Sequence, residues 1–129
     1  MGMMHIVLIN KYTVRESFQF AFEGLRYAIQ TQKNLRFQLV AAVLVITIST
    51  FLPMQLIEWA ILFVLIALVV VAEILNTAIE KTIDLIVMEY NPLAKTIKDL
   101  SAAAVLFIAF TSVVVGLFIY WPKFMALIR

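Results

Sequence analysis

Four polar side chains recur along one stretch of an otherwise apolar segment of this 129-residue chain. Glu73, Asn76, Glu80 and Asp84 follow one another at intervals of three or four residues. At 100° per residue, a helix places all four within about 80° of one another, in a stripe about 16 Å long. Three carboxylates and one amide would therefore line one side of that helix.

The oxygen atoms of this polar stripe (Glu73, Asn76, Glu80 and Asp84) indicate two kinds of chemistry. Carboxylate and amide oxygens suit Mg²⁺, which keeps several waters and is often shared with substrate phosphates. A carboxylate in a low-dielectric setting can also take a proton as a general base. The alternative is a stripe that only holds helices together through hydrogen bonds, with Asp84 solvated beyond the membrane surface.

Composition places the polar stripe in a membrane protein. Hydrophobic residues make up 64% of the chain and charged residues 14%, whereas soluble domains carry roughly 45–50% and about 25%. This balance excludes an ordinary soluble enzyme and a disordered protein. The absence of cysteine excludes a disulfide framework, a zinc ribbon and a thiol nucleophile. The ten basic residues are typical of topology signals rather than of a nucleic-acid-binding surface.

Three apolar stretches predict an all-α integral membrane fold, with residues 1–129 as one domain. Residues 37–57 and 100–122 carry no charged side chain, and each is long enough for a spanning helix of about 20 residues. The uncharged stretch 59–72 is shorter, so its helix must continue into the polar stripe to cross a bilayer of about 30 Å. We predict that the spans lie in helices at about residues 35–52, 56–88 and 99–121.

A further helix is predicted at about residues 12–32, with polar and apolar side chains on opposite sides. Its polar side carries Gln19, Glu23, Arg26, Gln30 and Lys33, and its apolar side carries Phe18, Ala21, Phe22, Leu25 and Ile29. Such an amphipathic helix suits a membrane surface. Two interpretations are open: an interfacial anchor, or a cover over a site at the inner side of the membrane.

The distribution of basic residues predicts the orientation. The N-terminal arm carries Lys11, Arg15, Arg26, Lys33 and Arg36; the first connection carries none; and the second carries Lys81, Lys95 and Lys98. Because basic residues stay on the cytoplasmic side, the N-terminus and the second connection are predicted to be cytoplasmic. Trp59, Tyr120 and Trp121 then fall near the outer interface, where aromatic residues are common.

Lys98 and Asp99, just before the third span, are open to two interpretations. Asp99 could cap the start of a helix while Lys98 contacts lipid phosphates. Alternatively, the cation and the acid together hold a nucleotide at the inner interface. The residues alone do not favour either interpretation.

Residues 73–106, EILNTAIEKTIDLIVMEYNPLAKTIKDLSAAAVL, resemble the signature region of the prokaryotic diacylglycerol kinase family, which includes undecaprenol kinases of Gram-positive bacteria. Residues 20–37, FAFEGLRYAIQTQKNLRF, resemble its N-terminal surface-helix motif. The resemblance extends over about residues 15–120. Its most specific part is the pattern E-x-x-N-x-x-x-E-x-x-x-D followed by K-D, which coincides with the polar stripe.

The resemblance implies a fold, an activity and residue roles. The fold is a surface helix and three transmembrane helices in a homotrimer with sites shared between subunits, in the bacterial plasma membrane. The activity is transfer of the γ-phosphate of ATP, with Mg²⁺, to a lipid hydroxyl at the cytoplasmic interface. By resemblance, Glu73 is the general base, Asn76 positions the hydroxyl or a phosphate, and Glu80 holds Mg²⁺. Lys98 and Asp99 would contact the nucleotide.

Two positions depart from the family pattern: Gln32, and Asn91, where many members have histidine and to which no mechanism is attached. Many members have a glutamate in the surface helix that shares the metal, and this chain has Gln32 there. An amide oxygen can ligate Mg²⁺ but adds no charge. Gln32 is therefore a candidate metal ligand whose affinity for Mg²⁺ would differ from that of a glutamate. The stretches 24–28 and 91–95 are closer to the Gram-positive type, which favours undecaprenol over diacylglycerol as the lipid. The alternative function is a non-catalytic membrane protein whose polar stripe serves helix assembly.

Overall fold

A computed structural model describes residues 12–129, so the prediction that involves Lys11 lies outside the described residues. The elements are four helices: α1 (Val14–Thr31), α2 (Lys33–Thr50), α3 (Leu56–Ile86) and α4 (Pro92–Ile128). The described part of the chain contains no strand, which confirms the all-helical prediction.

Helix α1 begins and ends at defined caps. Thr13 Oγ1 accepts from the Glu16 N–H at 3.2 Å, while the Glu16 carboxylate accepts from the Thr13 N–H at 2.8 Å. This reciprocal pair satisfies amide groups that a helix start leaves free. At the other end the extended backbone of Gln32 ends α1 and starts α2. Arg36 Nη1 donates to the carbonyls of Ile29 and Gln30, both at 2.9 Å, and so fixes this corner.

Three helices of the described chain, α2, α3 and α4, are long and apolar enough to cross a membrane. The 31 residues of α3 extend about 46 Å at 1.5 Å per residue, which exceeds a hydrocarbon thickness of about 30 Å. One end of α3 therefore emerges from the membrane. The polar stripe runs toward that end.

Helix α4 is longer than the sequence pattern predicts. It begins at Pro92, because Asn91 Oδ1 accepts from the N–H groups of Leu93 (2.8 Å) and Ala94 (3.3 Å). A proline suits the first helical position because its missing N–H is not needed there. The cap is therefore Asn91, not Asp99. The helix also continues through Pro122 to Ile128 instead of ending near residue 121.

The helices pack side by side, α3 against α4 and α2, with α1 against α2 and α3. At the end of α3 near Glu58, the Lys123 Nζ atom lies 2.8 Å from the Glu58 carboxylate. Nearby, the hydroxyls of Ser49 and Tyr120 are 2.5 Å apart. These two contacts join α2, α3 and α4 at what we call the Glu58 end of the bundle. The opposite end, where the polar stripe finishes, is the Asp84 end.

Little apolar side-chain surface is buried within one chain. The buried apolar residues of the described chain are Ala28, Leu35, Leu62 and Ala94, whereas most large apolar side chains of the spans are exposed. Buried polar residues are slightly more numerous: Ser49, Glu73, Asn76, Thr77 and Ser101. A polar interior with an apolar exterior is the arrangement that suits a lipid surrounding.

Candidate functional site

Glu73 is the most deeply buried carboxylate of the polar stripe. Its residue surface is 2% exposed, and Gln38 Nε2 of α2 donates to its Oε2 at 3.4 Å. Thr77 Oγ1 donates to the Glu73 backbone carbonyl at 2.9 Å. A carboxylate at membrane depth is costly unless it is paired, hydrated or used. The contact with Gln38 stabilises it only partly, because an amide carries no charge.

Asn76 and Glu80 form a pair one turn further along α3. Asn76 Nδ2 donates to Glu80 Oε1 at 3.2 Å. The Asn76 Oδ1 atom is buried and has no hydrogen-bond partner. Buried polar atoms are nearly always paired, so an unpaired acceptor beside two carboxylates is an unusual feature of this part of α3. The structure therefore brings Glu73, Asn76 and Glu80 together on one side of α3, as their spacing predicts.

Gln32 lies at about the depth of Glu80. The contact between Gln38 and Glu73 fixes how α2 and α3 run past each other. Gln32 lies about 9 Å before Gln38 along α2, and Glu80 lies about 10.5 Å after Glu73 along α3. Both steps lead toward the Asp84 end of the bundle. Gln32 Nε2 donates to Thr31 Oγ1 at 3.1 Å. No hydrogen bond joins Gln32 to Glu80 among residues 12–129.

Lys98 and Asp99 have different partners. Lys98 Nζ on α4 lies 2.5 Å from Asp84 Oδ1 on α3, which ties Lys98 to the end of the polar stripe. Asp99 Oδ2 instead lies 2.5 Å from Lys95 Nζ, one turn back on its own helix. All four side chains are exposed by more than a third, so they are accessible from water. Asp84 thus holds Lys98 at the Asp84 end of the bundle.

The oxygen donors of the site suit a metal that arrives with phosphates. Within the described residues, no group of three or more His, Cys, Asp or Glu side chains could hold a metal ion. The oxygen atoms available to a metal in this part of the described chain belong to Glu80, Asn76 (the unpaired Oδ1) and the Gln32 amide. Mg²⁺ is commonly bound by one or two carboxylates together with waters and substrate phosphates. The donor set fits that use, with the metal as part of the substrate.

Gln38 is a residue of the site that the sequence did not indicate. Gln38 is neither a charged residue nor part of the polar stripe of α3. The only signal was an amide near the start of the uncharged stretch of α2 that begins at Phe37. Its contact with Glu73 depends on the register between two helices, which no local pattern encodes.

The family model named prokaryotic diacylglycerol kinase matches residues 19–120. This match takes in most of the chain and all the site residues described above. The chain therefore belongs to the prokaryotic diacylglycerol kinase family. The resemblance drawn from residues 73–106 is confirmed.

The individual relatives are named as kinases of two different lipids. The undecaprenol kinase of Bacillus subtilis (strain 168) is 41% identical over 108 residues, 84% of this chain and 88% of that protein. The diacylglycerol kinase of Synechocystis sp. is 40% identical over 112 residues, 86% of this chain and 64% of that protein. The diacylglycerol kinase of Escherichia coli (strain K12) is 33% identical over 105 residues, 81% and 86% of the two chains.

Proposed function

We propose that this chain is a lipid kinase that transfers the γ-phosphate of MgATP to the hydroxyl of a membrane lipid. Membership of the diacylglycerol kinase family supports the reaction class. The observation that carries the proposal is the buried Glu73 carboxylate one turn from the Asn76–Glu80 pair, on a helix that leaves the membrane at that end. ATP reaches this place from water and the lipid from the bilayer.

In the proposed reaction, Glu73 takes the proton of the lipid hydroxyl as its oxygen attacks the γ-phosphorus. The bond between the γ-phosphorus and the bridging oxygen breaks, and ADP leaves with that electron pair. A positioned general base contributes about 10²–10⁴-fold to such a rate. Phosphoryl transfer otherwise depends on positioning and on neutralising charge.

The other residues supply that positioning and charge. Glu80 binds the magnesium of MgATP through an oxygen atom, with Gln32 as a neutral second donor at about the same depth, and Asn76 positions the lipid hydroxyl or a phosphate. Lys98, held by Asp84, faces the phosphates with its positive charge. Asp99 contacts the nucleotide from α4. The water-accessible positions of Lys98 and Asp99 support these roles.

We propose undecaprenol as the preferred lipid. The residue stretches 24–28 and 91–95 support this choice, as does the undecaprenol kinase relative, most of whose length this chain matches. Diacylglycerol is the alternative, because a diacylglycerol kinase is almost equally similar. The remaining parts of the proposal are a homotrimer in the bacterial plasma membrane, a cytoplasmic N-terminus and α1 as an amphipathic surface helix.

The test is transfer of labelled phosphate from ATP to each lipid, measured on the purified protein in bilayers. The wild type should phosphorylate undecaprenol faster than diacylglycerol. Glu73→Gln keeps the shape of the side chain but removes the base, so it should lose at least about 100-fold in kcat. Glu89→Gln, a matched loss of an exposed carboxylate beyond the end of α3, should keep the wild-type rate.

Two outcomes would overturn the proposal in different ways. A wild type that phosphorylates neither lipid would support the non-catalytic alternative, in which the polar stripe only joins helices. A Glu73→Gln variant with full activity would leave the kinase in place and remove Glu73 as its base. A faster rate on diacylglycerol would reverse only the choice of lipid.

A further inference from the structure

Gln38 has one paired polar atom and one buried polar atom without a partner. Its Nε2 donates to Glu73 Oε2 at 3.4 Å, whereas its Oε1 is buried with no hydrogen-bond partner. In Gln38 only the end that faces the carboxylate is paired.

The same side chain borders an apolar groove. The groove has a volume of about 400 Å³ between α2, α3 and α4, and its lining includes Gln38 and Tyr120. Tyr120 contacts Ser49, which lies about 16 Å along α2 from Gln38. Gln38 therefore lies where this apolar groove meets the buried carboxylate.

We propose that Gln38 is a positioning residue that holds the Glu73 carboxylate in the orientation needed to take the lipid proton. Nε2 of Gln38 binds Glu73 Oε2, and this contact leaves Glu73 Oε1 as the oxygen that meets the lipid hydroxyl. No other hydrogen bond to the Glu73 carboxylate is present among the described residues. The orientation of the base thus depends on an amide from a different helix. This inference rests on the proposed function.

The first test is Gln38→Met, which keeps the length of the side chain and removes both polar atoms. Because a hydrogen bond to a charged group is lost, kcat should fall about 10- to 100-fold. The KM for ATP should stay within about twofold, since the nucleotide contacts lie at the other end of the polar stripe. Thr47→Val is the matched control: Thr47 is on α2, and its hydroxyl bonds only to its own helix, at the Val43 carbonyl.

A double-mutant cycle separates positioning from a structural role. If Gln38 acts through Glu73, Gln38→Met should change the residual rate of Glu73→Gln less than about twofold. A structural role would lower the rate by the same factor in both backgrounds and would overturn the proposal. Gln38→Asn provides a second variant, whose shorter amide cannot reach Glu73. Its kcat should fall as in Gln38→Met, and full activity would contradict positioning.

Failure of this inference can be told apart from failure of the proposed function. An active wild type with an equally active Gln38→Met variant would overturn only the role of Gln38. An inactive wild type would overturn the proposed function, and the role of Gln38 with it. Thermal unfolding of each variant in the same bilayers should match the wild type within a few degrees.

Discussion

Gln32 occupies the position at which the family resemblance predicts a glutamate. It lies at the corner between α1 and α2, where its extended backbone ends one helix and begins the next. This corner brings it to the depth of Glu80 without a charge of its own. The consequence for the proposed site is a single carboxylate, Glu80, where a pair would bind a divalent cation more tightly.

Gln32→Glu is therefore expected to tighten the apparent affinity for Mg²⁺. A second negative charge near the metal should lower the Mg²⁺ concentration for half-maximal activity by about 3- to 10-fold. Gln19→Glu adds the same charge about 20 Å away along α1, beyond a Debye length of about 10 Å, and should leave the titration unchanged. A Mg²⁺ titration that is unchanged in Gln32→Glu would remove Gln32 from the metal site.

Lys98→Met tests the proposed phosphate contact. Loss of one positive charge near the phosphates should raise the KM for ATP about tenfold. Lys81→Met removes an equally basic, exposed side chain of α3 at the same end and should change the KM less than twofold. Steady-state kinetics over a range of ATP concentrations distinguishes them. If both variants raised the KM for ATP equally, Lys98 would contribute only to the overall positive potential at this end of the bundle.

The periodicity of a single helix could be predicted from the sequence, whereas the packing between helices could not. The stripe of Glu73, Asn76 and Glu80 follows from helical periodicity alone, and α3 carries it as predicted. The contact between Gln38 and Glu73 and the ion pair of Lys98 depend on how α3 packs against α2 and α4. Local patterns do not fix such packing. The early start of α4 was readable from Asn91 and Pro92, since both are typical of helix starts.

The ion pair at the Glu58 end gives α3 and α4 a contact remote from the proposed chemistry. Lys123 and Glu58 are 13% and 18% exposed, so removing one charge leaves the other partly buried and unpaired. Lys123→Met should lower stability, seen as a fall of several degrees in Tm. Activity at 25 °C should be retained, because Glu58 lies about 22 Å along α3 from Glu73.

The double variant Glu58→Gln with Lys123→Met is the control for this ion pair. It removes both charges and so should regain most of the lost Tm. The measurement is thermal unfolding of the wild type, Lys123→Met and the double variant, all in one detergent. A double variant that is less stable than Lys123→Met alone would show that the hydrogen bonds of Glu58, including the one from the Gln55 N–H at 2.8 Å, matter more than its unpaired charge.

At the scale of the whole molecule, the orientation in the membrane follows from where the basic residues lie. The connection between α2 and α3 has none, and the Asp84 end has several. The chain lacks cysteine, so single cysteines report position cleanly. In intact cells, Met54→Cys should react with an impermeant maleimide, whereas Glu89→Cys should react only after permeabilisation. The reverse pattern would place the site on the outer side and contradict access to cytoplasmic ATP.

The candidate site has polar groups that a second copy of the chain could pair with. Within the described residues, Glu80 has Asn76 as its only hydrogen-bond partner, and the acceptor atom of Asn76 is unpaired. Glu73 and Glu80 lie about 10.5 Å apart along one helix. Further groups from a second copy of the chain would complete the surroundings of both. The exposed apolar faces of the spans leave room for such copies.

The proposed site takes Glu73 and Glu80 from one α3 helix, so two inactive variants should not restore activity to each other. Glu73→Gln and Glu80→Gln each remove one carboxylate from every site, and a reassembled mixture of the two contains no chain with both. The reassembled mixture should therefore stay inactive, and the particle mass in detergent should equal three chains. A mixture that regains about a quarter of wild-type activity would mean that each site takes its two carboxylates from two adjacent subunits, because each of those subunits contributes the intact residue half of the time.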